Sequence, residues 1–165
     1  MPAIQRIAPC LWFDDQAEEA VRFYTSIFRN SQTGAIVRYP ETGHEIHGRQ
    51  PGSVMTVDFV LDGLPFTALN GGPVFTFNES ISLQVYCDTQ GEIDYYWERL
   101  SEGGDEAAQQ CGWLKDKFGV SWQVVPTLFL EMMNEPHSER TERVAKVVFA
   151  MKKPILDDLR RAYQG

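Results

Sequence analysis

The sequence predicts an α+β fold made of two tandem βαβββ modules and a helical tail. Three observations carry this reading. Strand-period and helix-period stretches succeed one another from the start of the chain, and the same order then begins again. Each predicted helix opens on a capping pattern, first Asp15-Gln16-Ala17-Glu18 and later Thr89-Gln90-Gly91-Glu92. Finally, Asp-x-Gln-x-Glu occurs twice, as Asp14, Gln16, Glu18 and as Asp88, Gln90, Glu92, at an offset of 74 residues. Recurrence of strand, cap and helix in one order is the mark of a duplicated unit.

The first strand is expected over Ile7 to Phe13, where Ile7, Pro9, Leu11 and Phe13 alternate with Ala8, Cys10 and Trp12. Pro9 removes a ladder donor and puts this strand at an edge or starts it there. Ala17, Ala20, Val21, Tyr24, Ile27 and Phe28 then form an apolar helical stripe. Strands follow over Thr33 to Tyr39, Val54 to Leu61 and Leu64 to Asn70, the last two joined by the hairpin turn Asp62-Gly63. In the second half, Ile81 to Cys87 alternates Ile81, Leu83, Val85 and Cys87 with Ser82, Gln84 and Tyr86. Ile93, Tyr96, Trp97 and Leu100 make the second stripe, which Gly103-Gly104 ends. Gln109 to Leu114 and Val120 to Val125 flank the turn Lys115 to Gly119, and Pro126 stops the final strand. Ser138 caps a tail helix whose apolar side is Val144, Val147, Val148 and Met151; Pro154 breaks it before a last helix with Leu156 and Leu159.

At 165 residues the chain is expected to be a single domain, 1–165, with module one at 5–78, module two at 79–126 and the tail at 127–165. The net charge of −8 argues against nucleic acid and anionic membranes as partners, since both need a basic face. No apolar run approaches the roughly 20 residues of a spanning helix, and Met1 to Arg6 lacks the pattern of a secretory signal. Cys10, Cys87 and Cys111 are odd in number and widely spaced, which suits free thiols. A cytoplasmic protein is the expectation.

Several stretches carry a family resemblance: Pro9-Cys10-Leu11-Trp12-Phe13-Asp14, Ala17-Glu18-Glu19-Ala20-Val21-Arg22-Phe23-Tyr24, Ala68-Leu69-Asn70-Gly71-Gly72-Pro73, and Cys111 through Trp122. With the repeat, they identify the chain as similar to the vicinal-oxygen-chelate superfamily of glyoxalases, bleomycin-resistance proteins and extradiol dioxygenases. Within it the chain most resembles the PhnB-like branch, often labelled 3-demethylubiquinone-9 3-methyltransferase-like. The resemblance implies curled mixed sheets that enclose one cleft, a homodimer, and metal ligands drawn from the first and last strand of each module. Carried onto this chain, those ligand positions fall at Ala8, Ala68 or Asn70, Ser82 and Gln123. None offers the imidazole or carboxylate a divalent cation wants, so neither metal nor cofactor is predicted.

The site expected instead is a small-molecule cleft lined by Trp12, Asn70, Ser82, Gln84, Tyr86 and Gln123. On the strands Ile81 to Cys87 and Ile7 to Phe13 the aromatics Trp12 and Tyr86 fall on the face away from the helices, where large rings are awkward in water. Asn70, Gln84 and Gln123 would orient a ligand by hydrogen bonds. Weaker candidates are His44 and His47, taken as residues of a polar loop that could cover the cleft, Asp58 with Thr56 as a base, and Cys10 as a nucleophile. Gly71-Gly72 is not a nucleotide loop, because it precedes Pro73 rather than opening a helix after a parallel strand. Trp97, Trp113, Trp122 and Phe118 are assigned to the core. For the homodimer, the tail offers Phe129, Met132, Val148 and Met151. The functional expectation is ligand binding without the superfamily metal, with an acidic surface suited to a cationic ligand. A small-molecule lyase, isomerase or dioxygenase is the alternative. Methyl transfer, as the branch label states, is a further alternative that lacks a recognisable methyl-donor pocket.

Overall fold

The structure is a computed structural model that describes residues 6–165, so the expected start of module one at residue 5 and the segment from Met1 to Gln5 lie outside it. The fold is α+β, with two mixed sheets and three helices at the C-terminal end. The chain divides into two compact units, Met1–Thr76 and Phe77–Gly165.

Unit one contains β1 (Cys10–Phe13), α1 (Ala17–Ile27), β2 (Gln32–Arg38), α2 (His44–His47), β3 (Val54–Leu61) and β4 (Leu64–Asn70), in the sheet order β1-β4-β3-β2. β1 runs parallel to β4 and the other pairs are antiparallel. Asp62 and Gly63 both take positive φ, 45° and 81°, as a two-residue hairpin requires. The stripe of α1 buries Ala17, Ala20, Val21, Tyr24 and Ile27 against Val57, Phe59, Phe66 and Ala68. Tyr24 stacks on Phe59 with ring centres 6.4 Å apart. Phe28, expected in that stripe, instead follows the helix as its C-cap.

Unit two repeats the connection. β5 (Leu83–Cys87) lies parallel to β7 (Ser121–Pro126), which pairs antiparallel with β6 (Trp113–Lys115). Between them, α3 (Gln90–Ser101) covers the sheet with Ile93, Trp97 and Leu100. Three strands pair here where unit one pairs four, and a short 3-10 turn, Glu106–Ala108, stands between α3 and β6. The β6–β7 turn is knotted by the buried Asp116. Its carboxylate accepts from the Phe118 and Val120 amides at 2.8 and 3.0 Å and from Trp122 Nε1 at 2.8 Å.

The tail forms α4 (Thr127–Met133), α5 (Glu139–Ala150) and α6 (Leu156–Gln164). It is tied to its own unit. The Cys111 and Gly112 amides donate to the Met151 and Lys152 carbonyls, each at 2.8 Å. The Gln90 side chain accepts from the Leu156 amide at 2.8 Å and donates to the Pro154 carbonyl at 3.2 Å. Lys153 reaches Asp94 at 2.6 Å.

Several expectations change: the strands expected over Ile7 to Phe13 and Gln109 to Leu114 run instead over Cys10–Phe13 and Trp113–Lys115. The residue before α1 is Gln16 and its side chain caps nothing; the first helical amide, of Ala17, donates to Asn70 Oδ1 at 2.8 Å. A residue brought in by β4 therefore does what the local Asp15–Glu18 pattern was expected to do. His44 and His47 are not loop residues, because they form the single helical turn α2 between Gly43 and Gly48, both at positive φ. The strand expected from Ile81 starts at Leu83, leaving Ile81 exposed and Ser82 just outside.

Candidate functional site

β5 and β7 set the candidate site because their open face carries amides. Val85 and Cys87 point into the core of unit two, so Gln84 and Tyr86, one residue out of phase, face the other way. The pairing puts Gln84 opposite Gln123. Four of the predicted residues are joined there in one run: Tyr86 donates to Gln84 Oε1 at 2.7 Å, Gln84 Nε2 to Gln123 Oε1 at 3.4 Å, and Gln123 Nε2 to Ser82 Oγ at 2.6 Å. Each amide nitrogen carries two N–H groups and uses one in this run, so each retains one for a ligand.

The tail roofs part of this face. A cavity of about 140 Å³ has Gln84 and Gln123 among its lining and Phe129, Leu130, Val148 and Met151 as apolar walls. Of the tail residues expected at a subunit interface, Phe129, Val148 and Met151 line this cavity and Met132 is buried. Apolar residues with no strand or cap partner in sequence were the available signal for a docked tail.

In unit one the predicted residues divide. Trp12 lies on the open face, its Nε1 donating to the Gly72 carbonyl at 2.9 Å and its ring edge-on to Phe75 with centroids 4.9 Å apart. Asn70 has another task. It is 4% exposed, its Oδ1 caps α1, and its Nδ2 donates to the Val54 carbonyl at 3.2 Å. Pairing explains the difference. Trp12 sits opposite Leu69 and Cys10 opposite Thr67, so Thr67 and Leu69 share the open face while Ala68 and Asn70 share the helix side with Leu11 and Phe13. A one-residue shift in phase moves a side chain to the other face of a sheet.

The weaker candidates gain nothing chemical. Asp58 accepts from Thr67 Oγ1 at 3.0 Å on the exposed face of β3. Burial pushes the Cys87 thiol up to about 12, with Glu92 and Asp88 adding to the effect; partial desolvation also raises Cys10. Both thiols are held away from the reactive thiolate. His47 Nδ1 accepts the Arg49 amide at 3.0 Å, and its ring lies 4.6 Å from that of Tyr39. Among the described residues, no three of His, Cys, Asp or Glu gather as metal ligands would. The Gly71 and Gly72 amides are spent on the Phe13 and Asp14 carbonyls, at 2.9 and 3.1 Å, so they do not form a phosphate cradle.

Residues 5–125 match the family described as 3-demethylubiquinone-9 3-methyltransferase. The chain belongs to this family. A PhnB protein from Bacillus cereus is 36% identical, with a TM-score of 0.64 over 74% of this chain and 99% of that one. Protein PA1353 from Pseudomonas aeruginosa shares the fold at 20% identity, a TM-score of 0.55 and coverage of 75% and 98%. So does the fosfomycin resistance protein FosX from Listeria monocytogenes, at 18% identity, a TM-score of 0.51 and coverage of 81% and 100%. None of the curated proteins matches. The chain is thus a PhnB-like member of the vicinal-oxygen-chelate superfamily, and its tail lies beyond the matched residues.

The pairing also bears on the metal positions that the resemblance implies. Cys10 opposes Thr67 as Gln84 opposes Gln123, and the 74-residue repeat equates Cys10 with Gln84. On the family resemblance, the four implied positions would then be Ala8, Thr67, Ser82 and Gln123, with Thr67 in place of Ala68 or Asn70. A methyl, two hydroxyls and a carboxamide do not fit a divalent cation.

Proposed function

We propose that this PhnB-like protein binds a small neutral molecule without the superfamily metal, on the open face of unit two. The observation that carries this reading is the hydrogen-bonded run Ser82–Gln123–Gln84–Tyr86, whose two amides line a cavity walled by apolar tail side chains. Linked amides are held in one orientation in advance, which lowers the ordering cost of binding. Their spare N–H groups and the Tyr86 oxygen match a ligand that both accepts and donates, such as a carboxamide. Catalysis has less support: the face lacks an acid–base pair, and the thiols of Cys10 and Cys87 are raised.

The test is a nuclear magnetic resonance screen of neutral carboxamide fragments against the full chain and a Gln84→Leu/Gln123→Leu variant. Hits should contact unit two in the parent chain. The variant should bind them about 1–3 kcal/mol more weakly for each lost partner while unfolding at nearly the same denaturant concentration. Equal binding by both proteins would remove the site from this face.

The same proposal includes a homodimer in the cytoplasm. Its surface is the tail, with Phe129, Met132, Val148 and Met151, or β2, an edge strand exposing Ile36 and Val37. Sedimentation as a monomer at micromolar concentration would reject the dimer.

A further inference from the structure

The last two helices each serve two sides. Val148 of α5 and Leu159 of α6 wall the cavity over the amides. Arg143, Val147 and Ala150, spaced i, i+4 and i+7 on α5, line a different cavity with Asp158, Arg161 and Ala162 of α6. This second cavity is a groove between the two helices, open along one side, with a volume of about 520 Å³. All its lining residues lie between Arg143 and Gly165, so no strand contributes to it and neither Gln84 nor Gln123 borders it. It also lies wholly beyond the residues that match the family.

The two cations of the groove are held differently. Arg161 is paired with Asp158 at 2.9 Å, one turn back on the same helix. Arg143 is half-buried and held by carbonyls instead: its Nε donates to the Ala162 carbonyl at 2.8 Å and its Nη2 to the Tyr163 carbonyl at 3.2 Å. Those bonds fix the plane of the guanidinium without neutralising it. Among the described residues, no carboxylate lies within ion-pair distance of Arg143. A guanidinium carries five N–H groups, and the two carbonyls leave three of them in the fork that a carboxylate fits. Away from Arg143 the groove is apolar. Ala150 and Ala162, one on each helix, are small enough to leave it open. From Arg143 to Ala150 the helix rises about 10 Å, the length of an extended chain of about eight carbons.

We infer that the groove between α5 and α6 binds an unbranched medium-chain carboxylate, with its head on the Arg143 guanidinium and its chain along Val147, Ala150 and Ala162. The carboxylate supplies the counter-charge that the fold leaves out, and the chain covers apolar surface that the two helices leave open. This ligand class is distinct from the neutral one proposed for the amide pair, and the groove stands whether or not that pair binds anything.

Two probes of equal chain length test it: octanoate, which carries the charge, and 1-octanol, which does not. Each is titrated calorimetrically into the full chain and into Arg143→Gln, Ala150→Trp and Gln84→Leu/Gln123→Leu variants. The parent chain binds octanoate with one equivalent and about tenfold more tightly than octanol, the value of one charge-assisted pair. That preference shrinks in high salt. Arg143→Gln abolishes the preference and leaves octanol unchanged. Because Arg143 also holds the end of α6, a thermal melt accompanies that variant, and Ala150→Trp supplies an arm that keeps Arg143 in place. Its ring, at an exposed position, fills the groove and weakens both probes by about tenfold. The double amide variant binds octanoate as the parent does. Octanol binding as tightly as octanoate, or no saturable binding of octanoate, overturns the inference. So does unchanged binding in Ala150→Trp, or loss of octanoate in the amide variant, which would move the probe to the other cavity.

Discussion

α1 and α3 occupy the same place in their units, each following the first strand and covering the sheet, but their first turns are secured in opposite ways. α3 is capped from within: Thr89 Oγ1 accepts the Glu92 amide at 3.2 Å and Glu92 Oε2 accepts the Thr89 amide at 3.1 Å. α1 has no such box and depends on Asn70, 53 residues away from the Ala17 amide it accepts. Pairing makes the equivalence direct, because Phe13 opposes Asn70 as Cys87 opposes Pro126. Where the helix caps itself, the last strand can end in a residue with no side-chain donor. A local cap releases the sheet's polar residues for the open face; a remote cap consumes one.

This contrast is strongest at Asn70. Asn70→Leu strands the Ala17 amide and the Val54 carbonyl, so it should destabilise unit one by about 2–4 kcal/mol in urea unfolding. A loss below about 1 kcal/mol would mean that α1 finds another cap. Gly71→Ala comes next, because a Cβ there would sit 2.1 Å from the Trp12 ring, itself fixed by Gly72 and Phe75. Forcing it in should cost about 1–3 kcal/mol and shift Trp12 fluorescence. Thr89→Ala should cost about 1 kcal/mol, confined to unit two, as amide exchange in α3 would report.

The smallest effect concerns pH. Lys153 and Gln90 hold the Asp94 carboxyl below its usual range, so the Asp94–Lys153 bridge adds stability above the ordinary carboxylate pKa. That stability is lost as pH falls through the lowered value. Both partners are partly exposed, so Asp94→Asn should cost no more than about 0.5 kcal/mol at pH 7 and less in high salt. Its melting difference from the parent should shrink towards pH 3; a constant difference would show that the bridge contributes nothing through charge.

Period and composition made some features legible and not others. The stripes of α1 (Phe28 apart) and α3, the Asp62-Gly63 turn and the Thr89–Glu92 box all depend on residues within a few positions of each other, and each appears in the fold as expected. The phase of β5 was equally readable, since Val85 and Cys87 are apolar while Gln84 and Tyr86 are not. On β4 the match of Asn70 to Gln123 by resemblance puts it on the open face, whereas its hydrogen bonds to Ala17 and Val54, distant in sequence, hold it on the helix side. The roof over the amides was unreadable, because nothing near Phe129 or Val148 in the sequence indicates the strands they meet.

The ties between Gln90 and the backbone of Pro154 and Leu156 impose an order of assembly. Synthesis runs from the N-terminus, and domains generally fold as units while the chain emerges. Unit one has its helix cap once Asn70 has been made. Unit two cannot pair the Gln90 side chain with both backbones until Pro154 and Leu156 have been made. A chain ending before Pro154 would therefore keep its first sheet and the Met151 and Lys152 ties of α5 while losing both backbone partners of Gln90.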